Sequence, residues 1–343
     1  MSGWSGSLMV FFVAIAVGAM PVDAVYGKQS NDPEPGWRPG SLSVGAGQKT
    51  GVAGKKPETS IAARSAGPSA WKRPAAGRED RAPEVKSSVA LVVEQMGGGA
   101  LFQKNADAVM PIASITKLMT AMVVLDGAPD LQEIVSIADD DVDYARGSRS
   151  RLHVGAAMTR ETALLLALMA SENRAAHALA RHYPGGMPAF LRAMNEKANS
   201  LGMRDTYFED PTGLSSNNVS TAIDLAKMVD EAHRYPLIRE FSTTPEAVVE
   251  VAGKPLGFHN TNPLVRNVAW DVGLSKTGYI HEAGKCLVMQ ARLADRPVVI
   301  VLLDAAGKLT RVGDANRIKR WLEAPRGARQ QASFGSPVVA PPG

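Results

Sequence analysis

Residues 111–121 read Pro-Ile-Ala-Ser-Ile-Thr-Lys-Leu-Met-Thr-Ala, a largely apolar segment in which a serine and a lysine lie three positions apart. We predict a helix over this segment, from Ile112 to about Leu125. On such a helix Ser114 and Lys117 emerge on one face, about one turn apart. A serine hydroxyl becomes a nucleophile when a base within hydrogen-bond reach removes its proton, and burial makes a lysine such a base by lowering its pKa. The segment therefore predicts a nucleophilic Ser114 with Lys117 as a candidate base.

Apolar runs of strand length flank the helical middle of the sequence. Val89–Val93 precedes a glycine turn and a second run that starts at Ala100, which predicts a hairpin. Further strands are predicted at Gly273–Thr277, Lys285–Leu293 and Pro297–Leu303, with a tight turn at 294–296. Further helices are predicted after an N-cap at Thr159, with a buried apolar stretch at Ala163–Met169, and at Met187–Ser200, Thr221–His233 and Gly313–Glu323. Strands near both ends with helices between them predict an α/β (α+β) domain whose sheet unites the two chain ends.

The composition is that of an ordinary globular protein with a small basic excess. Of 343 residues 45% are hydrophobic, and the formal net charge is +4. The excess is concentrated near the N-terminus, so we expect no nucleic-acid partner. Cys286 is the only cysteine, which excludes an intrachain disulfide and thiol-rich metal sites, and we expect it to be a small buried hydrophobic residue. The six histidines lack metal-ligand spacing, and no glycine-rich phosphate loop follows a strand, so neither a metal nor a cofactor is predicted.

The first residues have most features of an export signal. Leu8–Met20 is an uncharged apolar run followed by a small-x-small cleavage site at 22–24, although no Lys or Arg precedes the run. The run is shorter than the roughly 20 residues that span a bilayer, so we expect a secreted protein without a transmembrane anchor in its mature form. The predicted organisation is a signal peptide over 1–24, a disordered basic Pro/Gly-rich tether over 25–87, a catalytic domain over 88–325 and a disordered tail over 326–343. The tether is either a solvated linker or a segment that contacts an anionic polymer or membrane surface.

Three short patterns occur in this order: Ser114-Ile115-Thr116-Lys117, Ser171-Glu172-Asn173 and Lys276-Thr277-Gly278. Patterns this short also arise by chance, because Ser69–Lys72 and Lys49–Gly51 repeat the first and the third within the predicted tether. Only the later copies lie where helices and strands fix their geometry. The later copies are therefore the candidate site.

The third pattern offers a distinct chemical use for each residue. Lys276 supplies a positive charge, Thr277 a hydroxyl for a substrate carboxylate, and Gly278, at the end of a predicted strand, lets a substrate backbone approach closely. The backbone N–H of Tyr279 is then a candidate donor to an oxyanion. The serine and asparagine of the second pattern follow the buried apolar stretch, where they either face a cleft or only end a helix.

These patterns together are the signature of penicillin-binding proteins and class A β-lactamases, and the chain resembles the D-alanyl-D-alanine peptidases among them. The resemblance extends from Ser88 to Glu323. It is carried by Ala90–Val93, Gln103–Asp107, Pro111–Ala121, Asp210–Leu214 and Ser220–Ala222. It implies a β-lactamase/transpeptidase-like fold, with an antiparallel sheet beside a helical cluster, and a periplasmic enzyme of cell wall biogenesis. Glu196 and Glu209 do not lie in a recognisable β-lactamase deacylation loop.

Within that family the chain resembles the endopeptidase branch of the low-molecular-weight penicillin-binding proteins. The stretches concerned are Ser171–Ala176, His182–Gly186, Asn260–Asn262 and Leu274–Tyr279. This resemblance implies a serine D-alanyl-D-alanine endopeptidase that hydrolyses D-alanine–diaminopimelate cross-links in peptidoglycan peptides. The alternatives are a carboxypeptidase, whose branch usually adds a β-rich domain for which we expect no room here, and a non-catalytic peptidoglycan-binding scaffold.

The resemblance also implies a two-step acyl-enzyme mechanism. Ser114 attacks the D-alanine carbonyl, and the backbone N–H groups of Ser114 and Tyr279 hold the oxyanion. The remaining roles are proton relay and peptide positioning by Ser171, Asn173 and Lys276, and carboxylate binding by Thr277. Water releases the acyl group without a cofactor, and β-lactams acylate the same serine as covalent inhibitors. The base is either Lys117 directly or a relay through Ser171, since both groups share one proton network.

Overall fold

The computed structural model describes residues 82–95, 99–307 and 309–324. The predicted signal peptide, most of the predicted tether and the whole of the predicted tail lie outside these ranges. The described end of the tether contacts the fold: Val85 is buried, and the Ser87 hydroxyl donates to the Asp314 carboxylate at 2.6 Å. Within the described ranges, no helix is long and apolar enough to cross a membrane.

The strands of the described residues form one large sheet and three two-stranded pairs. They are β1 (Val89–Glu94), β2 (Ala100–Lys104), β3 (Met110–Pro111), β4 (Ile134–Ser136), β5 (Ala157–Thr159), β6 (Val219–Ser220), β7 (Glu246–Val251), β8 (Lys254–His259), β9 (Asp271–Ile280), β10 (Gly284–Leu293) and β11 (Arg296–Ala305). The large sheet has the order β2-β1-β11-β10-β9, and each neighbouring pair is antiparallel. Because β1 pairs with β11, the sheet unites the two ends of the described domain, as predicted.

The described residues form seven helices, and three of them begin and end close to the predicted positions. The seven helices are α1 (Lys117–Asp126), α2 (Arg160–Leu165), α3 (Asn173–Arg181), α4 (Gly186–Ser200), α5 (Ala222–Ala232), α6 (Pro236–Thr243) and α7 (Thr310–Glu323). The predicted N-cap is confirmed, because the Thr159 side chain accepts from the Thr162 N–H. The predicted helices that correspond to α4, α5 and α7 are confirmed as well.

Helices cover both faces of the large sheet, because alternate side chains of each strand are buried on opposite sides. Leu91 and Val93 of β1 belong to a core with α1 and α5. Ala90 and Val92 belong to a second core with α7, which contributes Ile318. A strand buried on both faces has a continuous apolar sequence, which explains the unbroken run in β1.

The segment that carries the serine nucleophile candidate differs from the predicted continuous helix. After β3 the chain forms a 3-10 turn at Ala113–Thr116, and α1 begins only at Lys117. Ala113 has a φ of +48°, which lies outside the right-handed helical region. The Ile112 N–H donates to the Asn218 carbonyl at 3.0 Å instead of continuing a helix. Contacts distant in sequence therefore override the local helix preference.

Two other regions differ from the sequence patterns. The Lys276-Thr277-Gly278 pattern lies within β9 rather than at a strand end, since β9 continues to Ile280 and pairs with β10 up to their turn. The patterns also do not predict α3, α6 or the β7–β8 hairpin. The strands of this hairpin are largely exposed. The tight turn between β10 and β11 is confirmed, and both Ala294 and Asp295 have positive φ there.

Candidate active site

Ser114 and Lys117 are in direct contact at the centre of the candidate site. The Lys117 Nζ donates to Ser114 Oγ at 2.8 Å, to Asn173 Oδ1 at 2.7 Å and to the Thr212 carbonyl at 2.7 Å. The Lys117 side chain is fully buried. Three acceptors around one ammonium hold the nitrogen beside the hydroxyl, and the 3-10 turn followed by α1 keeps the two side chains adjacent.

The pKa of Lys117 is lowered from 10.5 to about 7. Burial is the main cause, because it disfavours the charged form, and the negative charges of Asp210 and Glu172 only partly oppose it. About half of the Lys117 amines are therefore neutral at pH 7. A neutral amine 2.8 Å from a hydroxyl is able to accept its proton.

Ser171 and Lys276 form a second serine–lysine pair. The apolar stretch Leu166–Ala170 is a π-helical turn that ends at Ser171, which has a φ of +61°. The Lys276 Nζ donates to Ser171 Oγ at 2.8 Å. Burial lowers the pKa of Lys276 well below its usual range, and the neighbouring charges of Lys117 and Arg311 lower it further. A π-turn is frequent at functional sites, and here it gives the serine a backbone conformation that a regular helix does not allow.

Asn173 joins the two pairs. It is the first residue of α3, and its side-chain oxygen is one of the acceptors around Lys117. The second pattern therefore divides its contacts: Ser171 contacts the lysine of the third pattern, and Asn173 contacts the lysine of the first. The structure thus brings together all three patterns that the sequence analysis singled out.

Strand β9 packs closely against the turn that carries Ser114. A Cβ atom at Gly278 would lie 3.0 Å from the Ser114 nitrogen and 3.0 Å from the Ile112 carbonyl oxygen. Only glycine avoids this tight contact with backbone atoms. Strand β9 is at the edge of the large sheet, the position at which an extended peptide adds to a sheet. Part of this edge is already occupied, because the Ser275 N–H donates to the Ser242 hydroxyl of α6 at 3.2 Å.

The segment Asn260–Asn262 contacts β9 through side-chain hydrogen bonds. The Thr277 hydroxyl donates to the Thr261 hydroxyl at 2.7 Å, and the Asn262 amide donates to the Ser275 hydroxyl at 2.8 Å. The Thr261 N–H donates to the Met169 carbonyl, within the π-turn, at 3.1 Å. This segment therefore links β9 to the turn that presents Ser171.

The loop Asp210–Asn218 contributes contacts that the sequence analysis missed. The Asp210 carboxylate accepts from the backbone N–H groups of Thr212, Gly213 and Ser215 at 2.5 to 2.7 Å. Asn218 is fully buried and ties this loop to the nucleophile turn through the Thr116 hydroxyl at 3.0 Å. The available signal was the family resemblance of Asp210–Leu214. The Thr212 carbonyl that binds Lys117 was not predictable from the sequence, since every residue has a carbonyl.

Two arginines form hydrogen bonds at the end of β9 and at the turn that follows it. The Arg311 guanidinium, from α7, donates to the Gly278 and Cys286 carbonyls at 3.0 and 2.9 Å. Arg146 forms a two-hydrogen-bond ion pair with Glu282, in the turn between β9 and β10. Tyr279 is 59% exposed.

The residues that the structure describes form neither a metal centre nor an exposed reactive thiol. Among the described residues, no group of three or more His, Cys, Asp or Glu side chains is placed to hold a metal ion. Cys286 is fully buried, and burial raises the pKa of its thiol to about 11. It is therefore the small buried residue that the sequence predicts.

Comparison with known proteins gives concordant matches. Residues 76–307 match a family model described as D-alanyl-D-alanine carboxypeptidase. The chain is 51% identical over 242 residues to a D-alanyl-D-alanine endopeptidase of Pseudomonas aeruginosa, covering 70% of this chain and 78% of the relative. It is 45% identical over 258 residues to a D-alanyl-D-alanine endopeptidase of Escherichia coli, covering 75% and 83%.

Solved structures agree with these matches. The Streptomyces K15 DD-transpeptidase has a TM-score of 0.65 at 28% identity, covering 70% of this chain and 97% of that one. Penicillin-binding protein D2 of Listeria monocytogenes, solved in its ampicillin-bound form, has a TM-score of 0.61 at 27% identity, covering 70% and 99%. The predicted transpeptidase-like fold is therefore confirmed.

Proposed function

The chain belongs to the D-alanyl-D-alanine carboxypeptidase family of serine peptidases, and from this premise we propose that it is an endopeptidase that hydrolyses D-alanine–diaminopimelate cross-links in peptidoglycan. The names of the Pseudomonas and Escherichia relatives support the endopeptidase assignment. The observation that carries the catalytic proposal is the buried contact between Lys117 Nζ and Ser114 Oγ at 2.8 Å.

Acylation begins with proton transfer from the serine. Neutral Lys117 accepts the Ser114 proton as Oγ attacks the carbonyl carbon of the D-alanine in the cross-link. The contact of Lys117 with Asn173 and the Thr212 carbonyl supports this role, because these acceptors stabilise the ammonium that forms. A tetrahedral oxyanion results, with a negative charge that requires donors.

The backbone N–H groups of Ser114 and Tyr279 are the proposed oxyanion donors. The close packing of Gly278 on the Ser114 nitrogen supports this role, since it brings the two backbone segments together. Donors fixed in advance stabilise the developing charge without reorganising, and one such donor typically contributes about 3–4 kcal/mol. Thr277 is proposed to bind the carboxylate beside the scissile bond.

Collapse of the tetrahedral species requires a proton on the leaving amine. Ser171 with Lys276 forms the proposed relay, because the hydroxyl contacts a buried lysine and lies in the same cluster as Lys117. The D-alanyl group then stays on Ser114 as an ester, and water attacks it with Lys117 or this relay as base. A β-lactam acylates Ser114 in the same way. The ampicillin-bound Listeria structure supports this extension. We further propose that the protein is exported to the periplasm, where its substrate lies.

Digestion of purified cross-linked muropeptide dimers tests the endopeptidase proposal. We expect wild type to convert dimers to monomers and Ser114→Ala to leave them intact. Ser69→Ala is the matched control, because Ser69 begins the other Ser-x-x-Lys pattern, and we expect it to behave as wild type. Release of D-alanine from dimers that stay cross-linked would identify a carboxypeptidase instead.

Labelling with a fluorescent penicillin tests the nucleophile separately. We expect label on wild type and on Ser69→Ala, and none on Ser114→Ala. Equal labelling of Ser114→Ala and wild type would refute Ser114 as the nucleophile. Label on wild type without cleavage of either peptide bond would favour a peptidoglycan-binding scaffold.

A further inference from the structure

The segment Asp143–Leu152 lies beside the second sequence pattern. The Ser150 hydroxyl donates to the Glu172 carboxylate, in the middle of that pattern, at 2.6 Å. The Arg174 guanidinium, in the residue that follows the pattern, donates to the Leu152 carbonyl at 2.7 Å. Two side-chain contacts therefore hold this segment against the residues that carry Ser171.

Arg146 extends from this segment to the turn between β9 and β10. Its guanidinium donates to the two Glu282 carboxylate oxygens at 3.0 and 2.8 Å, and the Asp143 carboxylate fixes its backbone by accepting from the Arg146 N–H at 2.9 Å. The hydrogen bonds to Glu282 raise the pKa of Arg146, and the charge of Asp210 adds to this rise. The pKa of Lys117, which burial lowers, is raised in part by the same Asp210. The ion pair therefore bridges two segments around the site, within electrostatic range of a carboxylate that also acts on the candidate base.

The proposed ligands of the oxyanion and of the carboxylate fix the direction of a substrate beside β9. With the oxyanion at the Tyr279 N–H and the leaving-group carboxylate at Thr277, the leaving group points towards the start of β9. The acyl stem then points towards the turn that follows Ile280. Glu282 is three residues beyond Tyr279, a separation of about 10 Å at the rise of a strand.

The acyl stem of a peptidoglycan peptide has charged groups at a matching distance. Its D-alanine follows a diaminopimelate, and in a stem that is only an acyl donor the far centre of this residue is unlinked. That centre has an ammonium and a carboxylate. The chain of bonds between it and the scissile carbonyl carbon spans about 10 Å when extended. The acyl stem therefore carries two opposite charges towards a pair of opposite charges on the protein.

The ion pair retains the capacity to bind further charged groups. A guanidinium has five N–H donors and a carboxylate accepts at about four positions, whereas the contacts between Arg146 and Glu282 use two of each. The two side chains are 32% and 41% exposed, so their outer atoms are accessible. A zwitterion is therefore able to bind to both side chains without separating them.

We propose that Arg146 and Glu282 form a subsite for the acyl stem, in which the guanidinium binds the carboxylate and the glutamate binds the ammonium of the unlinked diaminopimelate centre. This inference rests on the peptidoglycan substrate of the function proposed above and adds the residues that select its acyl stem. An endopeptidase and a carboxypeptidase act on the same acyl stem. The subsite is therefore tested independently of the choice of leaving group.

The test uses three penicillins that differ only in the side chain. A D-2-aminopimelyl side chain, joined through its distal carboxyl group, reproduces the diaminopimelate chain with both charges; a pimelyl side chain lacks the ammonium, and a heptanoyl side chain lacks both charges. Acylation of the full-length protein is measured by competition with a fluorescent penicillin. We expect wild type to react about tenfold faster with the aminopimelyl than with the heptanoyl penicillin, the scale of two exposed ion pairs, and at an intermediate rate with the pimelyl penicillin.

Two variants remove one charge each, and every rate is expressed relative to the same variant's rate with the heptanoyl penicillin. Arg146→Gln should abolish the advantage of the pimelyl penicillin, because the carboxylate loses its partner. Glu282→Gln should abolish the further advantage that the ammonium provides. Arg296→Gln is the matched control, because Arg296 forms a comparably exposed ion pair with Glu94 at the opposite end of β10, and we expect it to keep the wild-type ratios.

Three results would overturn the subsite. Equal rates of wild type with the three penicillins would show that the side-chain charges are not bound. A proportional fall with all three penicillins in both variants would indicate that the ion pair only maintains the structure. Faster acylation by all three when either charge is removed would show that the pair only obstructs the cleft. Dimers left intact in the muropeptide digest would overturn the endopeptidase function alone, because the order of the three acylation rates does not depend on the leaving group.

Discussion

The pH dependence of acylation follows from the buried state of Lys117. At a pKa of about 7, half of the Lys117 amines are neutral at pH 7. An ordinary lysine with a pKa near 10.5 is neutral in only about one molecule in 3,000 at that pH. Burial therefore increases the population of the basic form by roughly a thousandfold. If neutral Lys117 is the base, the acylation rate must follow this population.

The assay is the rate of acylation by a fluorescent penicillin, followed by rapid mixing across the pH range in which the fold is intact. We expect the rate to fall about tenfold per pH unit below pH 7, where Lys117 is protonated, and to level off above it. The fall occurs on the acid side because protonation destroys the base. A rate that keeps rising towards pH 10 would refute the lowered pKa.

Lys117→Arg distinguishes this titration from that of another group. Arginine keeps its proton throughout the range, so the variant should lack the acid limb and react at least about a hundredfold more slowly. A variant that retains both the rate and the midpoint near pH 7 would show that Lys117 is not the titrating base. The relay through Ser171 would then be the remaining candidate.

Four further predictions concern packing and stability. Gly278→Ala should slow penicillin acylation about a hundredfold, because the added Cβ forces β9 away from the Ser114 nitrogen. An unchanged rate would contradict the close packing. Asn218→Ala should lower the free energy of unfolding in urea by about 3 kcal/mol, since it removes a buried amide that ties the 210–218 loop to the nucleophile turn. A loss below about 1 kcal/mol would contradict this role of the amide. Thr159→Ala should lower the free energy of unfolding by about 1 kcal/mol, because α2 loses its N-cap. The rate of acylation should be unaffected, and a change in that rate would contradict a purely structural role of Thr159. Lys117→Met should stabilise the fold below pH 10.5, because the unfolded wild-type chain binds a proton at Lys117 more readily than the buried amine does. The gain, measured by thermal unfolding, should vanish above that pH. A variant that is less stable than wild type at pH 7 would contradict this prediction.

Side chains with distinctive chemistry were predictable from sequence. Ser114, Lys117 and Lys276 belong to patterns whose order and context separate them from the copies in the N-terminal segment. The continuous run in β1 likewise predicts a strand. The placement of strands near both ends predicts a sheet that unites the chain ends, and the pairing of β1 with β11 confirms this.

Backbone roles were not predictable in this way. Thr212 contributes a carbonyl to Lys117, and carbonyls are present at every position. The 3-10 turn before α1 depends on pairing between β3 and β6 and on Gly213, where a Cβ would lie 1.9 Å from the Ala113 carbonyl oxygen. Local propensity favours a helix there, and only contacts between distant segments explain the observed turn.

The pairing of β1 with β11 has a consequence for how the protein is made. Val89 lies opposite Leu303, so more than two hundred residues must be synthesised before the first strand finds its inner neighbour. Strand β9, which completes the nucleophile's surroundings, is also made late. Folds dominated by such distant pairings form slowly, and partly made chains expose unpaired strand edges. A nascent chain that already contains Ser114 but ends before β9 is therefore expected to be inert towards penicillin, and reactivity should appear only when the last strands emerge.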